Sequence, residues 1–451
     1  MTCFCLLDPR PPTQASARLV GLLDYTQSDT GQHGPDVGAS ETGGRLVRLR
    51  RSFCTLLAVG VAASVMAATA SSAGAGGKTP TAKIVLLAET TGESSAAVPY
   101  YDNGAKMAAE ELGGKVEYSR IPAPVAPAGA QTAFEQARDQ NPDAIIGFPA
   151  SSQGIAVSES IKSAGIPFFT LSSGEQLVKN GPNGANNLFL IRPVDTLSFT
   201  AQAQYAIDTL KKKKIGLVCV DNATGVNGCN AAKKVIQGKQ GVEVVAERSN
   251  STTATDLTEQ ATAMKDATAI LDFNFPNPLG VISNQLVDND INVPHVDGAS
   301  AGIIAAGGVV QGKAATNLKG TDDCVPTTDK SSKVKKWVSE YQSKYGAPPI
   351  YSAAQSYDMV KLIAAAAKKA GSTSPAKLNK AIASISYDGI CADYKADNLN
   401  VLQHTANIVK FNAQGKESIA KSLRFQPGQL PGVVPETTAP TTAAPAPTSV
   451  P

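Results

Sequence analysis

Two hydroxyl pairs, Ser151-Ser152 and Ser172-Ser173, each follow a short apolar run within Asn141 to Gly174, NPDAIIGFPASSQGIAVSESIKSAGIPFFTLSSG. Hydroxyls beside the free N–H groups that open a helix suit an anion such as a carboxylate. Each of these serines can equally serve as a turn residue or a helix cap. A second motif points to other chemistry. Gly298-Ala299-Ser300-Ala301-Gly302 fits G-x-S-x-G, the nucleophile elbow of α/β-hydrolases, and His404 with an intervening Asp would complete the chain order. The run VPHV before it and IIAA after it are compatible with the strand, turn and helix that an elbow needs. Against a secreted serine hydrolase, no HGG-type oxyanion loop occurs, His404 falls in an irregular C-terminal region, and the pentapeptide arises readily in an Ala/Gly-rich chain. His295 and His404 lack the paired spacing of a zinc site, and no Walker sequence or dinucleotide fingerprint is present. No metal and no cofactor is expected.

The elements that carry the serines read as strand, loop, helix, strand, loop. Asp143 to Phe148 and Ile166 to Thr170 are short apolar runs with β-branched residues. Between them Ile155, Ala156, Ile161 and Ala164 share one face at helical spacing. Such a βαβ unit predicts a parallel sheet buried on both faces, and ligands bind beyond the carboxyl ends of such strands. The stretch is read as half of a small-molecule cleft.

Around it the alternation continues. Strands are expected at Lys83 to Ala88, Val116 to Ile121 and Leu188 to Ile191, with a helix around Asp102 to Leu112 and another marked by Ala133, Phe134 and Ala137. The stretch IPAPVAPAGA reads as a loop, and Arg192-Pro193 as the first exit from a domain. A second series predicts a helix near Thr200 to Leu210, the strand Ile215 to Val220, a loop DNATGVNG, and a helix from Cys229 to Gln237. Strands follow at Val242 to Glu247, Ala269 to Phe273 and Val293 to Val296, with helices at Asp256 to Lys265 and Leu279 to Val287. Two such blocks predict two doubly wound α/β domains. Lys333 to Tyr345 and Ser356 to Ala370 are amphipathic, and Ser374-Pro375 opens a third helix. From Cys391 to Phe425 short polar strands and turns are expected.

The chain has 451 residues, 42% hydrophobic and 18% charged, with a net charge of +3. That length allows two sizeable cores. The balance gives no basic excess with which to neutralise phosphates, so no nucleic-acid partner is expected. Residues 45 to 70 combine RLVRLRR, an apolar run from Phe53, and Ala68-Thr69-Ala70, and so read as an export signal. Residues 1 to 44 read as an upstream extension, 71 to 81 as a linker, and 429 to 451 as a low-complexity Pro/Thr/Ala tail. Processing removes Cys3, Cys5 and Cys54. It leaves Cys219, Cys229, Cys324 and Cys391, an even number that predicts two disulfides with three possible connectivities.

Several segments in this order resemble one known family: ETTGES with NGAKMAAEELGG, DAIIGFPASS, IPFFTLSSG, FLIRPVDTLSFTAQAQYAI, KKIGLVCVDNATG and YGAPPIYSAAQSYDMVKLIAAAAKKAG. The chain is similar, over nearly all of residues 82 to 426, to the type I periplasmic binding proteins of ABC transporters, in particular their leucine/isoleucine/valine-binding group. The resemblance implies two doubly wound lobes joined by three crossover segments, with a ligand cleft between them. The crossovers are placed near Pro193 to Thr196, Asp322 to Thr328 and Ser386 to Cys391. The lobes are then 82–195 with 326–387, and 196–325 with 388–428.

By the same resemblance, Ser151 or Ser152 and Ser172-Ser173 fall where the family holds an amino acid's α-carboxylate, and Asp297 where it holds the α-ammonium. Three positions depart from the family pattern: Gly174 replaces a Thr, Thr224-Gly225 replaces Tyr-Gly, and the first loop has no Tyr. Phe148, Phe273, Asn274 and Phe275 are candidates for the side-chain pocket. The implied function is extracytoplasmic capture of a small amino acid-like ligand for an ABC transporter permease, by a monomer and without catalysis. A ligand-sensing lobe of a receptor shares the fold but expects a transmembrane segment near the C-terminus. On the family's crossovers, Cys324 and Cys391 run side by side and are expected to pair. Cys219 ends a strand and Cys229 opens the next helix, so these two are expected to pair across a short loop.

Overall fold

The computed structural model describes residues 80–89, 94–124 and 126–430. The upstream extension, the export signal, Cys3, Cys5, Cys54, most of the linker and the tail past residue 430 lie outside the described residues. Among the described residues no helix is long and apolar enough to cross a membrane.

The first sheet grows from β1 (Ala82–Ala88), AKIVLLA, in which all but one residue are buried. A run apolar on both faces can only be an interior strand of a covered parallel sheet. The chain continues through α1 (Val98–Leu112), β2 (Val116–Pro122), α2 (Pro127–Asp139), β3 (Ala144–Gly147), α3 (Ser151–Ala156), α4 (Ser158–Ala164), β4 (Phe168–Thr170) and β5 (Leu188–Leu190). The strands lie in the order β2-β1-β3-β4-β5, all parallel. One face of this sheet packs under α1, and the other buries Phe134 of α2 and Ile161 of α4.

The second series is α5 (Asp195–Gln204), β6 (Lys214–Val220), α6 (Ala223–Gln237), β7 (Glu243–Asn250), α7 (Thr258–Ala263), β8 (Ala269–Phe273), α8 (Pro276–Asp288), β9 (His295–Val296), α9 (Ser300–Ala306), α10 (Gly312–Asn317) and β10 (Leu318–Asp322). The chain then returns to the first sheet as α11 (Ser332–Tyr345), α12 (Tyr351–Ala370) and α13 (Pro375–Ile382). Trp337, Met359, Ile363 and Leu378 of these helices join the core beneath α1. A small hairpin, β11 (Ser386–Asp388) with β12 (Asp393–Lys395), precedes β13 (Thr405–Phe411) and β14 (Glu417–Arg424). The second sheet runs β14-β13-β10-β9-β8-β6-β7, parallel except where β13 and β14 join. Two doubly wound lobes result.

Several boundaries differ from expectation for local physical reasons. The end of IPAPVAPAGA is helical, because Pro127 occupies the first turn of α2, where no backbone N–H is required. DNATGVNG is mostly the start of α6, since Asn222 Oδ1 accepts from Thr224 N and Gly225 N and caps it. The helix after β3 is two short helices, broken at Val157. Strand β10, LKGTD, lies inside the second sheet although its polar residues gave no apolar run.

The third crossover also lies later than Ser386 to Cys391. Leu190 N donates to Asn400 O, Leu402 N donates to Leu190 O, and Leu399 and Val401 are buried in the first lobe's core. The open edge of β5 therefore holds the chain until Leu402, and the chain reaches the second sheet only at Thr405.

Candidate functional site

The carboxyl ends of strands from both sheets meet at one cavity of about 70 Å³. From the first lobe it is lined by Ser151, Ser173, Arg192 and Tyr351, and from the second by Thr224, Asn274 and Ser300. Tyr101, Phe199, Phe273 and Phe275 supply aromatic walls. Ala150 from one lobe packs with Val220 and Phe275 from the other, so the lobes are closed on each other.

Two glycines shape the cavity wall by their missing side chains. A Cβ at Gly174 would lie 2.7 Å from Ser151 Oγ, so the missing side chain is what seats Ser151 in the wall. A Cβ at Gly225 would lie 1.9 Å from Val220 O, so α6 can approach the end of β6 and bring Thr224 to the cavity only with glycine at 225. Phe148, at the turn out of β3, has φ 59, the left-handed region that an aromatic residue rarely occupies. Its ring is fully buried and stacks on Phe168 at 5.6 Å.

Of the residues singled out in the sequence, Ser151, Ser173, Phe273, Asn274 and Phe275 line the cavity. Ser152, Ser172, Phe148 and Asp297 do not. Ser172 is buried and shares a 2.7 Å hydrogen bond with Thr170 Oγ1, and Ser152 lies one position further round α3. Phe148 belongs to the core of the first lobe, not to a side-chain pocket.

Asp297 lies apart from the lining residues. It follows β9, is fully buried, and its Oδ1 accepts from Asn274 N at 3.3 Å. Burial, reinforced by the nearby carboxylate of Asp272, holds its carboxyl well above the usual range. It stands behind the wall and does not line the cavity.

The charged groups that do reach the cavity are Arg192 and Asp195. Arg192 Nε donates to Asp323 Oδ2, and the guanidinium lies 5.3 Å from the centre of the Tyr351 ring. Burial works against its charge, but Asp323 together with Tyr351, Tyr101 and Asp195 outweighs it and keeps Arg192 protonated. Asp195, the first residue of α5, accepts from Ser173 Oγ. Burial raises its carboxyl despite the opposing pull of Arg192. In the sequence, Arg192-Pro193 marks only a domain exit. The available signal was a cation placed directly after the end of a buried strand.

Hydrolase chemistry has no geometry here. Ser300 Oγ donates to Asn274 O at 2.9 Å, while His404 pairs with Asp397 at 3.1 Å. A Ser–His–Asp chain does exist elsewhere: Ser283 Oγ lies 3.3 Å from His295 Nδ1, and His295 Nε2 lies 2.8 Å from Asp272 Oδ2. All three are buried, Ser283 on α8, His295 on β9 and Asp272 on β8, and none lines the cavity between the lobes, so this chain is a polar element of the second lobe's core. Both disulfides, Cys219–Cys229 and Cys324–Cys391, are formed.

The family model described as periplasmic binding protein matches residues 81–416. A comparison with curated proteins returns no match. Among solved structures, the leucine-binding protein LivK of Thermotoga maritima is 22% identical with a TM-score of 0.67, covering 76% of this chain and 99% of its own. The branched-chain amino acid substrate-binding protein LivJ of Streptococcus pneumoniae, in complex with isoleucine, is 23% identical with a TM-score of 0.67, over 76% and 99%. A solute-binding protein of an R. palustris ABC transporter, in complex with benzoate, is 17% identical with a TM-score of 0.68, over 76% and 96%. These similarities establish a shared fold.

Proposed function

The chain belongs to the periplasmic binding protein family, and from that membership we propose that it captures a small carboxylate outside the cytoplasm and delivers it to an ABC transporter permease. The observation that supports this reading is one buried cation, Arg192, and two serine-bearing strand ends, at Ser151 and Ser173, facing one closed cavity. A carboxylate there meets donors it can accept from, and charge-assisted hydrogen bonds are the strong ones. The lobes are assigned as 82–195 with 326–403, and 196–325 with 404–428, so that each supplies one wall.

The size of the cavity narrows the ligand. One water needs roughly 10–15 Å³ of such space, so 70 Å³ holds about five to seven waters, or a solute with a similar number of heavy atoms. The aromatic walls favour a short apolar stem. An amino acid is the second reading, favoured by Asp195, which lines the cavity and could meet an ammonium in place of Asp297.

Thermal-shift and calorimetric titration with short-chain carboxylates, their neutral amides and the α-amino acids of equal carbon number tests both readings. Carboxylates should bind and raise the melting temperature, as any ligand of the native state does, and the amides should not. Equal binding of acid and amide would overturn the carboxylate assignment. Preference for the amino acid, lost in Asp195→Asn, would establish the second reading.

A further inference from the structure

The opposite end of α9 borders a second, larger cavity, of about 440 Å³, within the range of small-molecule sites. One side is built by the first lobe: Val338 of α11 and the segment Pro348-Pro349-Ile350. The other is built by the second lobe: the C-terminal end of α9 and the turn joining β13 to β14. That turn sits hard against the helix, since a Cβ at Gly415 would lie 2.6 Å from Ala305 O. The first lobe's wall is mostly apolar, with Thr327 and Gln342 its polar members, and the second lobe's wall is rich in acceptors.

Glu417, the first residue of β14, lines this space, with its Oε1 buried. Behind it Asp322 is fully buried, and the two carboxyls share a hydrogen bond. Two neighbouring buried acids cannot both ionise cheaply: burial raises both, Glu417 to about 7 against the lowering effect of its bond with Asp322, and the nearby Glu417 raises Asp322 further. Carbonyls at the end of α9 add partial negative charge. The one cationic lining residue, Lys416, is exposed at the rim. An acid pair joined by a shared proton and a mostly apolar wall thus face one cavity.

We propose that this cavity is a second ligand site, taking a small organic cation, a primary ammonium or amidinium on a short apolar stem, whose N–H groups bond Glu417. Because its walls come from both lobes, occupancy requires the closed arrangement. Cation and cleft carboxylate therefore strengthen each other's binding, by the same factor in each direction.

Titration of the full chain with n-butylammonium, and with n-butyrate as the isosteric anion, tests the site by calorimetry and protein-observed NMR. Saturable binding of n-butylammonium is expected, weakened at least tenfold in Glu417→Gln and abolished in Val338→Trp, which fills the cavity from the other lobe. It should survive in Arg192→Gln, which impairs the cleft, so failure of the cleft assignment is distinguishable from failure of this one. Three results overturn the proposal: no saturable binding, binding that persists in both Glu417→Gln and Val338→Trp, or binding lost in Arg192→Gln while that variant remains folded.

Discussion

Arg192 and Asp323, 131 residues apart in sequence, form a buried ion pair exactly where two crossovers leave their lobes. Arg192 follows the end of β5 and Asp323 follows the end of β10, so one bond ties the first connection between lobes to the second. Asp323 is itself held by Gln355 Nε2 at 2.9 Å, and its carbonyl accepts from Gln403 Nε2 at 2.9 Å. The cation that lines the cavity between the lobes is thus anchored where the crossovers meet.

This anchoring separates two effects of substitution. Arg192→Gln removes the ligand's charged donor, worth roughly 1.5–3 kcal/mol, and carboxylate affinity should fall about tenfold to a hundredfold. It also strands Asp323, and breaking a buried pair costs about 3–5 kcal/mol of stability. The double variant Arg192→Gln/Asp323→Asn strands no charge, so it should recover most of the stability and none of the affinity. Urea melts and calorimetry on both variants check this. Recovered affinity in the double variant would show that Arg192 serves the hinge and not the ligand.

Asp297→Asn should bind the cleft ligand within about threefold of wild type. The native carboxyl is held well above its usual range by burial and Asp272 and lies outside the cavity wall, and an amide oxygen can still accept from Asn274 N. Were Asp297 the partner of a ligand ammonium, the same substitution would remove a charge-assisted bond and cost up to about a hundredfold. Isothermal calorimetry at pH 7 separates the two.

Much of the fold was legible because its strands are apolar on both faces. AKIVLLA and IGLVCV admit few other readings, and the alternation around them dictated two parallel sheets. What stayed hidden was set by tertiary contact. Nothing local marks LKGTD as an interior strand, and the attachment of Asn400 and Leu402 to the edge of β5 depends on which edge is left open. The site divided along the same line. Ser151 and Ser173 announced themselves by following strands, whereas Ser152 and Ser172 share that neighbourhood and differ only in which way a turn directs them. Asp297 reads as a cleft acid in sequence, and only the tertiary structure places it behind the wall, buried beside Asp272.

Buried acids give stability a defined pH dependence. Asp358 on α12 is 1% exposed and accepts from Ile390 N and Cys391 N. Burial raises its carboxyl from 3.8 to about 7. Between those values the native state holds a proton that the unfolded chain has released, so stability falls as pH rises from about 4 to about 7 and levels off above. Asp322 and Glu417 act in the same sense, while the lowered acids Asp102 and Asp397 act below that window. Asp358→Asn should therefore lose less stability than wild type between pH 5 and pH 8 in urea melts. An unchanged slope would mean that Asp358 is ionised throughout.

The two disulfides should contribute differently to stability and to binding. Cys219–Cys229 closes a separation of 10 residues and Cys324–Cys391 one of 67. Chain-entropy estimates give roughly 3 kcal/mol for the first and roughly 4 kcal/mol for the second. Cys219–Cys229 joins the end of β6 to α6, within the second lobe. Cys324 directly follows Asp323, the partner of Arg192, and Cys391 lies in the β11–β12 turn held by Asp358. Losing this second bridge frees the segment that positions the cavity's cation, so Cys324→Ser/Cys391→Ser should weaken ligand binding as well as lower the melting temperature. Cys219→Ser/Cys229→Ser should lower the melting temperature and leave affinity within about threefold, because it is anchored away from Arg192. Non-reducing peptide mapping of the wild type fixes the pairing first, and a peptide joining Cys219 to Cys324 or Cys391 would refute it. With the pairing established, equal affinity in the two double variants would show that the hinge bridge does not act through Asp323.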